Sequence, residues 1–91
     1  MLISAQAVNV IITIARCGSF AAAAEELHKV PTALSYTVQK LESELGLKLF
    51  KRLGKQLELT EAGNYFIKKG QLILSELDEL QFATQRIAAG V

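Results

Sequence analysis

Apolar side chains recur at helical spacing through the first half of the chain, and residues that start or stop helices bracket each recurrence. Val8, Ile11, Ile12 and Ala15 share one face of a first helix, with Asn9, Thr13 and Arg16 between them. Ser4 can cap its start and Gly18 can end it. Ser19 caps a short second helix from Phe20 to about Leu27, whose run Ala21-Ala22-Ala23-Ala24 favours helix and lets a neighbour approach closely. Phe20 is expected in the core, setting the second helix against the third. His28-Lys29-Val30 reads as a three-residue turn, and Pro31 suits the first position of a third helix, where its missing N–H has no intrahelical partner to lose. That helix runs to about Leu45, stops at Gly46, and starts on a weak cap, Val30. Leu34, Val38, Leu41 and Leu45 form its buried stripe. Advancing about 100° per residue puts Thr32, Tyr36, Gln39 and Ser43 near the far side, with Ser35 and Lys40 on the flanks.

The second half changes period. Leu49-Phe50-Lys51-Arg52 and Gln56-Leu57-Glu58-Leu59 alternate roughly between apolar and polar, and Leu53-Gly54-Lys55 joins them as a turn. This predicts a small hairpin carrying three cations, Lys51, Arg52 and Lys55. Thr60 can cap a fourth helix from Glu61 to about Ala88, which at 1.5 Å per residue is about 40 Å long. Phe66, Ile73, Leu80 and Ile87 recur every seven residues, and Gly63, Gly70, Leu77 and Thr84 form a second such series in register with them. The first two turns are expected to pack on the chain's own domain. From about Leu74 onward too little chain remains to cover the stripe, and a second copy is the expected cover. Gly70 inside this helix costs roughly 1 kcal/mol relative to alanine, which predicts a close approach or a bend there.

Ninety-one residues make one small domain with one modest core. With 51% hydrophobic and 21% charged residues the composition is that of a globular protein, not of a disordered or low-complexity chain. The longest apolar runs fall far short of a membrane span, and no basic region precedes an apolar N-terminal segment, so a cytoplasmic chain is expected. The single cysteine, Cys17, cannot form an internal disulfide. The net charge of +1 conceals a pattern. Residues 28–57 carry six cations (Lys29, Lys40, Lys48, Lys51, Arg52, Lys55) against Glu42 and Glu44, a local excess of +4, whereas both flanks are acidic. A local cation cluster matters for nucleic-acid binding because each phosphate it neutralises releases a counterion.

A short helix, a three-residue turn and a second helix with one apolar stripe and one polar face make a helix-turn-helix unit, whose second helix enters the DNA major groove. The hairpin after it is then the wing of a winged helix. Short hydrogen-bonding side chains at the start of a groove-bound helix can reach base edges, and cations on a hairpin can reach the backbone or the minor groove.

Several short motifs, in order along nearly the whole chain, carry a resemblance: Gly18-Ser19-Phe20, Ala23-Ala24, Leu27-His28, Ala33-Leu34-Ser35, Leu41-Glu42, Glu44-Leu45-Gly46, Leu49-Phe50, Arg52 and Leu59-Thr60-Glu61-Ala62-Gly63. Together they resemble the N-terminal DNA-binding domain of LysR-type transcriptional regulators. The resemblance implies a mainly α fold in which three helices and a two-stranded wing (residues 1–59, helix-turn-helix about 19–45, wing about 49–59) precede a linker helix (residues 60–91). It implies a homodimer joined by that helix on an interrupted dyad of double-stranded DNA. It also implies a ligand-sensing domain C-terminal to the linker, absent here, so that ending at Val91 suggests a shortened chain.

The implied DNA-binding positions are Pro31, Thr32, Ser35, Tyr36, Gln39, Lys40, Arg52 and Lys55; the implied dimer seam is Phe66, Ile73, Leu77, Leu80 and Ile87. Two positions depart from the family pattern: Pro31 stands where a glutamine often reads a base, and Tyr36 replaces a frequent arginine.

Plainer readings compete at several positions. The ring of Tyr36 could pack on the domain surface, and Arg52 could pair with Glu42 or Glu44. Cys17 and His28 supply neither a four-ligand metal site nor a third group to orient a nucleophile, so a buried thiol and a turn histidine are expected, with no cofactor. No paired acids, phosphate loop or Ser/His/Asp set points to an enzyme. The main competitor to DNA binding is a helical dimerisation module that makes protein contacts.

Overall fold

The computed structural model describes residues 3–90. Four helices and one hairpin follow in the order α1 (Ala5–Cys17), α2 (Phe20–Leu27), α3 (Pro31–Leu45), β1 (Phe50–Leu53), β2 (Gln56–Leu59) and α4 (Glu61–Ala88). The expected fold class is the observed one: three helices, an antiparallel two-stranded wing and a long C-terminal helix.

Side-chain caps fix the helix starts. Ser4 accepts from the Ala7 N–H at 3.1 Å, Ser19 from Ala22 at 3.1 Å and Thr60 from Gly63 at 3.0 Å. Gly18 and Gly46 end α1 and α3 in the left-handed region, at φ 82° and 73°. His28 ends α2 in the same way at φ 55°, a conformation that histidine tolerates better than most residues.

The core lies where α1, α2 and α3 meet. Ile11, Ile14, Leu34 and Leu49 are its largest fully buried side chains, joined by Val10, Ala23, Ala24, Val38, Leu41 and Phe50. The α3 stripe is buried as expected at Leu34, Val38 and Leu41, while Leu45 is half-buried. The α1 stripe is wider than its spacing indicated. Val10, Thr13 and Ile14 are buried beside Val8 and Ile11, and Ile12 is half-buried, because α1 packs on α2, α3 and α4 at once. Thr13, expected on the polar side, satisfies its buried hydroxyl by donating to the Asn9 carbonyl at 2.7 Å.

Phe20 is half-buried and meets Phe50 edge-on, with ring centroids 6.2 Å apart, so it ties α2 to the base of the wing and not chiefly to α3. In the hairpin, Phe50 pairs with Leu59 and Leu53 with Gln56, leaving Gly54-Lys55 as a two-residue turn with Gly54 at φ 62°. The first strand is thus shifted one residue from its expected span. Leu49 falls outside the strand because its N–H goes to the Glu42 carboxylate, although its carbonyl still accepts from Thr60, the residue opposite it in register.

The inner part of α4 lies on this core and the rest projects, giving a molecule of 55 × 26 × 19 Å. Gly63 and Gly70 are buried at the contact. Phe66, expected in the dimer seam, is half-buried and packs in part against its own domain's core, as does Ile67.

Candidate nucleic-acid interface

The outward side of α3 carries polar groups held on a rigid element. Thr32, Tyr36, Gln39 and Lys40 are exposed, as is Pro31, and Ser35 is half-buried. Tyr36 is 66% exposed, so most of its surface faces solvent. Of the four helices only α3 lacks a side-chain cap: Val30 offers no acceptor, and Ala33 donates to its carbonyl at 3.0 Å. Since Pro31 has no N–H and Ala33 has used its own, the first turn of α3 leaves one open backbone donor, the Thr32 N–H, at the positive end of the helix dipole.

Two clefts flank this helix. One separates α3 from the wing and brings Ser35 and Gln39 together with Lys48, Lys51 and Arg52 over a floor that includes Phe20 and Phe50. The other separates α3 from the start of α1 and joins Tyr36 and Lys40 to Ser4 and Gln6, with Glu44 at its edge. The eight positions expected to touch DNA are thus not one cluster. Ser35, Gln39 and Arg52 share the wing cleft, and Tyr36 and Lys40 share the second. Pro31 and Thr32 at the helix start, and Lys55 in the wing turn, line neither.

Charge pairing leaves the cations open. Among the described residues there are two ion pairs, Arg16 with Glu26 and Lys48 with Glu42, the latter at 3.7 Å; Lys40, Lys51, Arg52 and Lys55 take part in neither. The pairing of Arg52 with Glu42 or Glu44 is not observed. Glu42 is turned inward, only 7% exposed, and its Oε2 accepts from the N–H groups of Leu49 and Phe50 at 2.7 and 3.3 Å.

Sequence reasoning missed two features. One is Glu42, which it treated only as a surface acid and a motif residue. Its i+1 position beside the stripe residue Leu41 was the available signal, since a helix this deeply packed buries more than one line of side chains. The other is the share of Lys48, Ser4 and Gln6 in the clefts, which depends on how separate elements come together.

The Arg16–Glu26 pair lies away from these clefts and joins the end of α1 to α2. Its hydrogen bonds hold the Glu26 carboxyl below the ordinary carboxylate range and raise the Arg16 guanidinium. Cys17 is half-buried, not buried as expected, and its Sγ lies 3.7 Å from Glu26 Oε1. Among the described residues, no helix is long and apolar enough to cross a membrane.

Residues 5–64 match the model of the bacterial regulatory helix-turn-helix protein, lysR family. The HTH-type transcriptional regulator PunR of Escherichia coli (strain K12) is 44% identical over 87 residues, which cover 96% of this chain but 28% of the relative. Among solved structures, the crystal structure of the BenM DBD complex with catB site 1 DNA matches with a TM-score of 0.93 at 30% identity, covering 97% of this chain and 95% of that one. The crystal structure of a CbnR DBD–DNA complex matches at 0.82 with 33% identity, covering 96% and 99%.

Proposed function

Because the chain belongs to the lysR family of bacterial regulatory helix-turn-helix proteins, we propose that it binds double-stranded DNA sequence-specifically as part of a transcriptional regulator. Recognition helix α3 enters the major groove and the wing lies on the backbone or the minor groove. The observation that carries this reading is the wing cleft, where the short polar side chains of Ser35 and Gln39 and the open cations Lys51 and Arg52 line one surface. Base-edge hydrogen bonding and phosphate neutralisation need those two kinds of group side by side.

Roles follow from position. Thr32, Ser35 and Gln39 supply donors and acceptors to base edges, Pro31 brings the open first turn of α3 toward a phosphate, and Tyr36 offers its ring to a thymine methyl or its hydroxyl to a phosphate. Lys40, Lys51, Arg52 and Lys55 neutralise phosphates. Residues 1–59 are the DNA-binding unit. Residues 60–91 form the linker helix, which joins two copies through Ile73, Leu77, Leu80 and Ile87, so that two recognition helices meet the halves of an interrupted dyad. A regulator of this kind works in the cytoplasm and performs no enzymatic reaction. Sensing of a ligand is assigned to no residue of this chain and would fall to a further domain. A protein-docking face in place of a DNA-binding one would call for an apolar centre, and the outward side of α3 is largely polar, at Thr32, Ser35, Gln39 and Lys40.

The test is selection of duplexes from a random pool by this chain, followed by a salt titration on the selected sequence. A palindromic product is expected. With four phosphate-binding cations per protomer, log Kd should change with log salt at a slope of magnitude about 7 for a dimer. A slope near zero, or a pool that stays random, overturns the reading. On the selected site, Ser35→Ala should shift preference at one base pair per half-site by about 1–3 kcal/mol. An equal loss on every sequence would assign Ser35 to positioning alone.

A further inference from the structure

Glu42 is the one charged side chain buried among the described residues, and its location explains more than stability. Ser35, Gln39 and Glu42 are spaced four and three residues apart and so form a row along the edge of α3 that faces the wing. The first two members of the row look outward into the wing cleft. The third reaches across to the segment that starts the wing, accepting from the Leu49 N–H at 2.7 Å and the Phe50 N–H at 3.3 Å, with Lys48 Nζ at 3.7 Å.

The same segment is held from its other side. The Thr60 hydroxyl donates to the Lys48 carbonyl at 2.7 Å and the Thr60 N–H to the Leu49 carbonyl at 3.0 Å. Two residues beyond Phe50 stands Arg52, and the turn with Lys55 follows. Burying a carboxylate is costly unless hydrogen bonds replace its water, and here two backbone donors do so. What the arrangement gains is a fixed distance between the side chains that would read bases and the cations that would hold phosphates.

We infer that Glu42 is a positioning residue for duplex binding: its carboxylate locks the first strand of the wing to the recognition helix, so that both meet the DNA in a single register. The inference rests on the DNA-binding reading above. Lys40 provides an internal control, because it lines the cleft on the opposite side of α3 and does not depend on the wing.

The experiment is a pair of double-mutant cycles on the duplex selected by the wild-type chain, read as salt slopes per protomer. In the wild type, Lys55→Ala and Lys40→Ala should each lower the slope by about 1. In the Glu42→Ala background, the Lys55→Ala shift should fall to less than half, while the Lys40→Ala shift stays whole. General loosening of the fold would reduce both together, and that result overturns the inference, as does an undiminished Lys55→Ala shift. Should Glu42→Ala fail to fold, Glu42→Leu goes through the same cycles. It fills the same space but offers the Leu49 and Phe50 N–H groups no acceptor, so the same selective reduction is expected, and its absence overturns the inference. A wild-type chain without salt-dependent duplex binding overturns the DNA-binding reading itself, and this inference with it; wild-type binding with unaltered cycles removes only the role of Glu42.

Discussion

The inner and outer parts of α4 share one seven-residue pattern and meet opposite fates. At Gly63 a Cβ would stand 2.1 Å from the Leu49 carbonyl oxygen, and at Gly70 it would stand 2.8 Å from Val8 Cγ1, so the helix lies directly on its own domain at both positions. One and two heptads later the same line carries Leu77 and Thr84, and around it Leu72, Ile73, Leu80 and Ile87 are exposed. A row of such residues is not a normal free surface for a small soluble domain. The comparison teaches that residue size, not period, tells the two regions apart. Small residues mark where the helix is covered by its own domain, and large apolar ones in the same phase mark where this chain leaves it uncovered.

The sharpest break in that comparison comes from single substitutions made on each side of it. Leu34 is 1% exposed in the core, and Leu34→Ala should cost about 2–5 kcal/mol in urea or thermal unfolding. Next in size is Gly63→Ala, expected to cost about 1–3 kcal/mol. The group it strikes is a backbone carbonyl already bonded to the Thr60 N–H and unable to retreat. Gly70→Ala should fall within about 1 kcal/mol of the wild type, since the alanine gains roughly that much in helix propensity while it presses on a side-chain methyl of Val8. A Gly70→Ala loss as large as that of Gly63→Ala would show that the two contacts are equally rigid.

On the outer side, Leu80 is 64% exposed, and Leu80→Asp should alter protomer stability by no more than about 0.5 kcal/mol. Its effect belongs to assembly: sedimentation should report monomers, because a dimer seam would have to bury an unpaired carboxylate. A dimer that persists with native duplex affinity would move the interface off this stripe.

Much of the compact region was legible because its signals are local. Ser4, Ser19 and Thr60 cap where their sequence neighbours predicted, Gly18 and Gly46 stop their helices, and Pro31 starts α3 on an uncapped first turn. What was not legible depends on long-range neighbours. Thr13 reads as a surface residue until three helices close around α1, and the partial cover of Phe66 by its own domain shows only once α4 is laid on the core. Glu42 is the clearest case. A glutamate is expected in water, and only the arrival of two backbone N–H groups from residues seven and eight positions later makes its burial tolerable. Of the candidate site, the polar side of α3 and the wing cations were readable from spacing and charge. Their division between two clefts was not, since no period within a helix encodes the elements that flank it.

The smallest expected effect concerns the surface of the compact region. Arg16 and Glu26 are both substantially exposed and join the end of α1 to α2, and their hydrogen bonds lower the Glu26 carboxyl below its ordinary value of 4.5. A carboxylate lowered on folding binds its proton more readily in the unfolded chain, so its contribution to stability is full above that ordinary value. The contribution is lost as pH falls through the lowered folded value. Glu26→Gln should therefore reduce the unfolding midpoint slightly at neutral pH, and the difference from wild type should vanish in acid. Added salt should shrink the difference as well, because an exposed pair is screened. If the difference instead persists unchanged in acid, the link between α1 and α2 owes its strength to the packing of Ala23 and Ala24 beneath it, and the covered half of the molecule is held by its core alone.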